Sequence, residues 1–144
     1  AGGGPAGEEL RRRVRRLRLG EQVVITRFPY ERMHEVYNLA DAFVLASAPR
    51  RGWLEQFGYV LPEALASGVP IIATRSGSIP EVTGEAALLM PPADFIGICE
   101  NMEKLLSDDG LRERLVAQGR RRVEEHFDCR TNALQIKKAY ERII

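Results

Sequence analysis

The chain has 144 residues, of which 44% are hydrophobic and 28% are charged, and this balance predicts one globular domain, residues 1–144, with a buried core. It excludes a disordered chain, a collagen-like repeat and a disulfide scaffold. The longest uncharged run, residues 64–74, has 11 residues, whereas a membrane span needs about 20, so the sequence predicts no membrane-spanning segment. Lysine and arginine total 21 against 20 acidic residues, so no overall charge favours nucleic acid as a partner, and the two cysteines are typical of a reducing, cytoplasmic location.

The chain begins with a glycine-rich stretch followed by a predicted helix, in which Leu10, Val14 and Leu17 repeat at helical spacing. The glycines fit G-x-G-x-x-G, a dinucleotide-binding fingerprint that needs a strand before it and an acidic residue about 20 positions later. No strand comes first, and Glu21 lies too early and before a predicted strand. Nicotinamide-cofactor binding is therefore the disfavoured alternative, and we expect a first strand to be missing upstream of Ala1.

Six arginines lie between Arg11 and Arg18 on this first helix. Such a face suits anionic lipid or nucleic acid. Arginine-rich helix faces are more often solvated, however, and no aromatic residues alternate with these arginines to stack bases. We expect a solvated face, with peripheral contact at the cytoplasmic side of a membrane as the alternative.

Four short apolar runs rich in β-branched residues follow, and none of them alternates apolar with polar residues. This pattern predicts parallel strands buried on both faces. The predicted strands are residues 23–26, 42–46, 70–74 and 86–90.

Helical periodicity occupies the segments between and after these runs, including residues 33–40 and 95–105. Beyond residue 108 it predicts two or three helices and no strand, with Ser107, Asp108 and Asp109 as candidate N-caps. The alternation predicts an α/β fold with a Rossmann-like, doubly wound parallel sheet and C-terminal flanking helices.

Residues 55–70 (EQFGYVLPEALASGVP) carry the most informative pattern. Because Pro62 lacks an N–H, it is tolerated only in the first turn of a helix, so the predicted helix begins between Gly58 and Pro62 and ends at Gly68, the expected C-cap. Glu63 then lies near the helix N-terminus and Glu55 in the preceding loop. We expect two carboxylates and free backbone amides to meet at the carboxyl end of the sheet, where open α/β folds bind ligands and a helix N-terminus favours phosphate.

The residues that metal sites and other common classes of enzyme require are absent from the sequence. His34 and His126 are far apart, and neither has a further ligand at the spacing of a metal site. The motifs of serine hydrolases and P-loop enzymes are absent. The sequence therefore predicts no metal site.

Residues 55–70 resemble the E-x7-E segment of retaining GT-B glycosyltransferases of family 4 (group 1), which lies in their C-terminal nucleotide-sugar-binding domain. Overlapping its start, residues 53–58 (WLEQFG) are similar to a W-x-E-Q-F-G subgroup. The resemblance runs nearly end to end. Further segments that resemble the family, in the same order, are residues 2–5 (GGGP), 37–45 (YNLADAFVL), 76–82 (SGSIPEV) and 89–92 (LMPP).

The resemblance implies that Glu55 binds hydroxyls of the donor sugar and stabilises charge at its anomeric carbon, and that Glu63 accepts from the ribose hydroxyls. It also implies a set of contacts from backbone amides. These are Gln56, Phe57 and Gly58 at the sugar, and Tyr59 and Val60 at the diphosphate.

The implied donor is a UDP-sugar or GDP-sugar, with no cofactor and no metal. The implied reaction transfers a hexose, with retention, to an acceptor held by an N-terminal domain. The chain would thus be the donor-binding fragment of a two-domain enzyme and inactive by itself. The alternative is a non-catalytic α/β nucleotide-binding or interaction module of the same fold.

The sequence departs from the family pattern at two places within the chain. Arg27 stands where the family usually has glycine, beside Phe28 in the segment that meets the nucleobase, and Ser78 replaces the second glycine of a G-G-I-P-E-V loop. The family's phosphate-binding arginine and lysine belong upstream of Ala1.

Overall fold

The computed structural model describes residues 4–143, which form two compact units, one on each side of the bond between Val36 and Tyr37. The first unit contains helix α1 (Gly7–Arg16), a 3-10 turn (Tyr30–Arg32) and the start of helix α2 (Met33–Asn38). Helix α1 confirms the predicted first helix.

The arginine face of α1 is open to solvent and partly balanced by an acidic residue. The guanidinium nitrogens of Arg11 and Arg15 lie 4.0 and 3.9 Å from the carboxylate of Glu8, and all three side chains are more than half exposed. Ion pairs of this kind contribute little to stability.

The predicted strand at residues 23–26 is wrong. These residues have no sheet pairing, and Val24 is 80% exposed. An apolar run becomes a strand only where another strand offers backbone partners, and among residues 4–36 the structure describes no strand.

The second unit contains a parallel sheet of three strands: β1 (Phe43–Leu45), β2 (Ile71–Thr74) and β3 (Ala87–Met90), in that order across the sheet. In register, Val44 lies opposite Ile72, and Ile72 opposite Leu88. All four residues of β2 are buried. The other three predicted strands are therefore confirmed within a residue or two of their predicted ends.

Four helices pack around the sheet: α3 (Val60–Ala66), α4 (Ile79–Thr83), α5 (Phe95–Ser107) and α6 (Asp109–His126). Ile72 and Met90 of the sheet pack with Leu105 of α5 and Leu115 of α6 in one buried cluster. Helix α3 contacts β2, α4 and α6. The doubly wound α/β class predicted from the sequence is confirmed, with three strands in the described part of the chain.

The close approach of α3 and α6 depends on Gly119. A Cβ at Gly119 would lie 2.8 Å from the Cδ2 atom of Leu65, and both residues are buried. The Leu65 side chain of α3 therefore packs directly against the backbone of α6 at Gly119.

The last helix, α7 (Cys129–Glu141), follows α6, so two helices come after residue 108, as predicted. Asp108 accepts a hydrogen bond from the backbone N–H of Leu111 (2.8 Å) and is the N-cap of α6. Of the other two candidate caps, Ser107 is the last residue of α5, and Asp109 is the first residue of α6; those two assignments were wrong.

Candidate functional site

Helix α3 begins at the edge of the sheet where the parallel strands end. Val60 is its first residue and Pro62 its third, a position that tolerates the missing N–H of proline. Gly58, which precedes the helix, has a φ of +72°, a conformation that other residues adopt only with strain. Gly68 follows the helix with a φ of +73°. The predicted helix and its start are confirmed; it ends at Ala66 with Ser67 as its C-cap, slightly before the predicted end at Gly68.

Glu63 lies in the first turn of α3 and is half-buried. The hydroxyl of Tyr37 donates to its Oε2 atom at 2.9 Å. Tyr37 is only 3% exposed, and its ring packs edge-on against Phe43 with centroids 5.7 Å apart. A buried tyrosine therefore fixes one oxygen of this carboxylate.

Glu55 lies in the loop before α3 and is also half-buried. The hydroxyl of Ser47, just beyond β1, donates to its Oε2 atom at 3.2 Å. The carbonyl of Ser47 in turn accepts from the hydroxyl of Thr74, the last residue of β2. The ends of two adjacent strands thus orient the Glu55 carboxylate.

The backbone of Glu55 is held separately by the loop between β2 and α4. Its carbonyl accepts from the N–H of Ser78 at 3.0 Å and from the Ser78 hydroxyl at 3.3 Å. A Cβ at Gly77 would lie 2.0 Å from the same oxygen. Ser78, the departure from the family pattern, therefore supplies an extra hydrogen bond to the loop that carries Glu55.

A pocket of about 580 Å³ opens beside Glu55. Its lining includes the loop residues Gln56 and Ser78 and the hairpin residues Arg50 and Trp53. It is large enough for a sugar ring, and its mostly apolar lining includes the polar residues Glu55, Gln56 and Ser78.

Phe57 and Tyr59 lie just before the start of α3. The ring of Phe57 lies 5.0 Å from that of Tyr59 and 5.6 Å, edge-on, from that of Phe127 at the end of α6. Phe57 is thus committed to packing, whereas Gln56 and Tyr59 are exposed and Val60 is half-buried.

Arg27 and Phe28 belong to the first unit, where both are exposed in a stretch without regular secondary structure. Their assignment to the nucleobase stays a prediction. Among residues 4–143, no group of three histidine, cysteine, aspartate or glutamate side chains is arranged to hold a metal ion, and no helix is long and apolar enough to cross a bilayer.

The supporting residues Ser47, Thr74 and Tyr37 were missed in the sequence. Ser47 and Tyr37 lie 8 and 26 positions from the carboxylates that they contact, so no local spacing links them. The one available signal was Tyr37 on the apolar face of a predicted helix, since a buried tyrosine hydroxyl needs a hydrogen-bond partner.

Comparison with known proteins identifies relatives over most of the chain. The family model described as "Glycosyl transferases group 1" matches residues 1–122. An MMP alpha-(1->4)-mannosyltransferase of Mycolicibacterium hassiacum is 41% identical over 92 residues, which cover 60% of the chain and 22% of that protein. A GDP-mannose-dependent alpha-(1-6)-phosphatidylinositol monomannoside mannosyltransferase of Mycolicibacterium smegmatis is 32% identical over 140 residues, which cover 94% of the chain and 37% of that protein.

Solved structures have the same fold. A sucrose-phosphate synthase of Thermosynechococcus elongatus superposes with a TM-score of 0.80 at 28% identity, covering 94% of the chain and 34% of that structure. The C-terminal domain of a group 1 glycosyl transferase, LpcC of Francisella tularensis, has a TM-score of 0.70 at 26% identity, covering 85% of the chain and 62% of that structure. These neighbours are GT-B glycosyltransferases. The chain spans about a third, or less, of the curated relatives described above.

Proposed function

Because the chain belongs to the group 1 glycosyl transferases, we propose that it is the donor-binding domain of a retaining glycosyltransferase, which transfers a hexose from a nucleotide diphosphate sugar to an acceptor. Residues 1–144 would act as one domain of a larger enzyme, with an acceptor-binding domain elsewhere in the full-length protein. Two of its relatives are named mannosyltransferases, and one of them is named for GDP-mannose. GDP-mannose is therefore the first donor to test, and a UDP-sugar the second.

One observation carries the proposal: two carboxylates flank the start of α3, and a hydroxyl from another element orients each of them. Ser47 holds Glu55 and Tyr37 holds Glu63. Carboxylates accept hydrogen bonds and suit the hydroxyls of a polyol. Orienting them before binding reduces the entropic cost of fixing the ligand.

We assign Glu55 to the donor sugar, because Glu55 lines the 580 Å³ pocket. In the reaction, the acceptor oxygen bonds to the anomeric carbon while the bond from that carbon to the diphosphate oxygen breaks, and the acceptor's hydroxyl proton leaves with the diphosphate. Positive charge develops on the sugar during this step. A carboxylate held beside it stabilises the transition state more than the ground state.

The diphosphate and ribose are assigned to the start of α3. The first amides of a helix have no acceptor within the helix, so those of Tyr59 and Val60 suit a phosphate, and they would stabilise the charge on the leaving diphosphate in place of a metal. Glu63, one turn further on, would accept from the ribose hydroxyls. Arg27 and Phe28 are assigned to the nucleobase.

The proposal includes a cytoplasmic location, which suits a protein whose Cys99 and Cys129 are both free thiols. Peripheral membrane contact through the arginines of α1 remains a hypothesis for the full-length protein.

Isothermal titration calorimetry with GDP and UDP tests the assignment of the two carboxylates. Replacing Glu63 by alanine should weaken nucleotide binding by about 1–3 kcal/mol, because a charged hydrogen-bond partner is lost. Replacing Glu55 by alanine should leave the affinity for the free nucleotide nearly unchanged and weaken binding of GDP-mannose. Glu100→Ala, an exposed acidic residue on α5, is the matched control and should change neither affinity.

Equal losses of nucleotide affinity in both variants would contradict the assignment. Turnover in the full-length protein separates an enzyme from a non-catalytic module of the same fold. If that protein binds the donor but neither transfers nor hydrolyses it, the non-catalytic alternative is correct.

A further inference from the structure

A tight hairpin, residues 50–53, lies in the chain between Ser47 and Glu55. The N–H of Arg50 donates to the carbonyl of Trp53 at 3.1 Å, and the N–H of Trp53 donates to the carbonyl of Arg50 at 2.9 Å. Gly52, with a φ of +78°, allows the turn between them. The reciprocal pair of hydrogen bonds fixes Arg50 and Trp53 side by side.

Residues paired in this way have their Cα atoms about 5.5 Å apart and their side chains on the same face of the hairpin. Trp53 is 50% exposed, and Arg50 and Arg51 are exposed. Neither arginine has a carboxylate partner among residues 4–143. The hairpin therefore presents an aromatic ring next to an unneutralised guanidinium.

The hairpin borders two pockets. Arg50 and Trp53 line the pocket of Glu55 and also a neighbouring pocket of about 490 Å³, which includes Ala46 and Ser47. The second pocket thus shares Arg50 and Trp53 with the pocket of Glu55, and it also includes Ser47, whose hydroxyl contacts the Glu55 carboxylate. A molecule in the second pocket would therefore lie next to a donor sugar bound beside Glu55.

We propose that Trp53 and Arg50 contribute this domain's side of the acceptor site, opposite the acceptor-binding domain, and that the acceptor is a sugar-like ring carrying a phosphate or carboxylate group. The face of an indole ring packs against the C–H face of a sugar ring. A guanidinium binds phosphate or carboxylate through two parallel hydrogen bonds. The spacing of the paired residues lets one ligand stack on Trp53 while its anionic substituent reaches Arg50. This inference rests on the proposed function, because it takes Glu55 as the position of the donor sugar.

Trp53 is the only tryptophan in the chain, so tryptophan fluorescence reports on this site alone. Mannose 6-phosphate, mannose and inorganic phosphate are the probes, each titrated with and without saturating GDP. We expect a saturable change with mannose 6-phosphate, at an affinity at least about fivefold higher than for mannose, as the gain from one charge-assisted contact. GDP should not compete with it.

Two variants and a control test the residues. Arg50→Ala should reduce the mannose 6-phosphate affinity by about fivefold or more, through loss of the same contact. Trp53→Ala, followed by calorimetry because it removes the fluorophore, should weaken mannose 6-phosphate and leave inorganic phosphate unchanged. Arg121→Ala, an exposed arginine on α6, should have no effect.

Equal responses to mannose and mannose 6-phosphate, or no effect of Arg50→Ala, would overturn the inference. Competition by GDP would also overturn it, since Arg50 would then belong to the donor diphosphate. The proposed function is tested apart from this, by the effect of Glu63→Ala on GDP binding. If GDP binds as expected and mannose 6-phosphate does not, only the acceptor inference fails.

Discussion

Gly77 offers a direct test of how the Glu55 loop is held, because a side chain at this position would meet backbone rather than a movable side chain. The Cβ of an alanine would lie 2.0 Å from the carbonyl oxygen of Glu55 and 2.9 Å from its carbonyl carbon. Gly77 also has a φ of +55°. Gly77→Ala must therefore strain its own backbone and push the Glu55 loop away.

The size of the effect follows from these two contributions. A left-handed conformation costs a non-glycine residue about 1–2 kcal/mol. Displacing the loop breaks the hydrogen bonds from the N–H and hydroxyl of Ser78 to Glu55, each of which contributes about 0.5–1.5 kcal/mol. We expect Gly77→Ala to lower the free energy of unfolding by about 2–5 kcal/mol in total.

Urea unfolding measures this loss, and Gly52→Ala is the matched control for stability. Gly52 has a φ of +78°, but nothing lies within 4 Å of a Cβ placed there. Gly52→Ala should lower the free energy of unfolding only by the backbone strain, about 1–2 kcal/mol. If the two variants lose the same stability, the close contact between Gly77 and the Glu55 carbonyl does not exist in solution, and the proposed mechanism for holding the loop is wrong.

Three further predictions concern other contacts. Tyr37→Phe should lower the free energy of unfolding by about 1 kcal/mol, because one hydrogen bond is lost. It should also weaken GDP binding, because this hydrogen bond no longer holds Glu63; unchanged GDP binding by calorimetry would show that Tyr37 does not support the nucleotide site. Gly119→Val should lower the free energy of unfolding by about 1–3 kcal/mol through overpacking against Leu65, as measured by urea unfolding, and a neutral result would disprove the close helix contact. The N–H of Thr131, which donates to the N-cap Asp128, lowers the pKa of that carboxyl. The stability that this cap gives to α7 is therefore present above the unfolded pKa of about 4 and is lost as the pH falls through the lower folded value. Amide exchange of α7 should become faster over this pH range, and in Asp128→Asn this pH dependence should be absent.

The sequence was sufficient for most of the fold because its strongest patterns are local. The runs that became β2 and β3 are uninterrupted and apolar, and a buried parallel strand requires little else. The position of Pro62 fixed the start of α3, and that placed Glu63 in its first turn. The same reasoning failed at residues 23–26, because pairing depends on a neighbouring strand that an apolar run cannot reveal.

The site was predictable only in part, for a related reason. Its carboxylates lie within one continuous segment, and so they could be found. Their supports come from elsewhere in the chain: Ser47 and Thr74 from the ends of two strands, and Ser78 from the loop after β2. Contacts between distant segments depend on how the sheet brings them together. The spacing of residues along the sequence does not show which distant segments will be in contact.

The two-sided anchoring of Glu55 also bears on how such a domain can change its specificity. The Glu55 backbone is tied to the loop after β2, and its carboxylate to Ser47, so residues 48–54 form a module bounded by fixed points. Substitutions or length changes within that module should leave the geometry of the Glu55 carboxylate intact. Under the proposed function, acceptors would then diversify through replacement of a single short loop while the donor contacts stay constant, and the same loop would be the natural target for redesigning acceptor specificity.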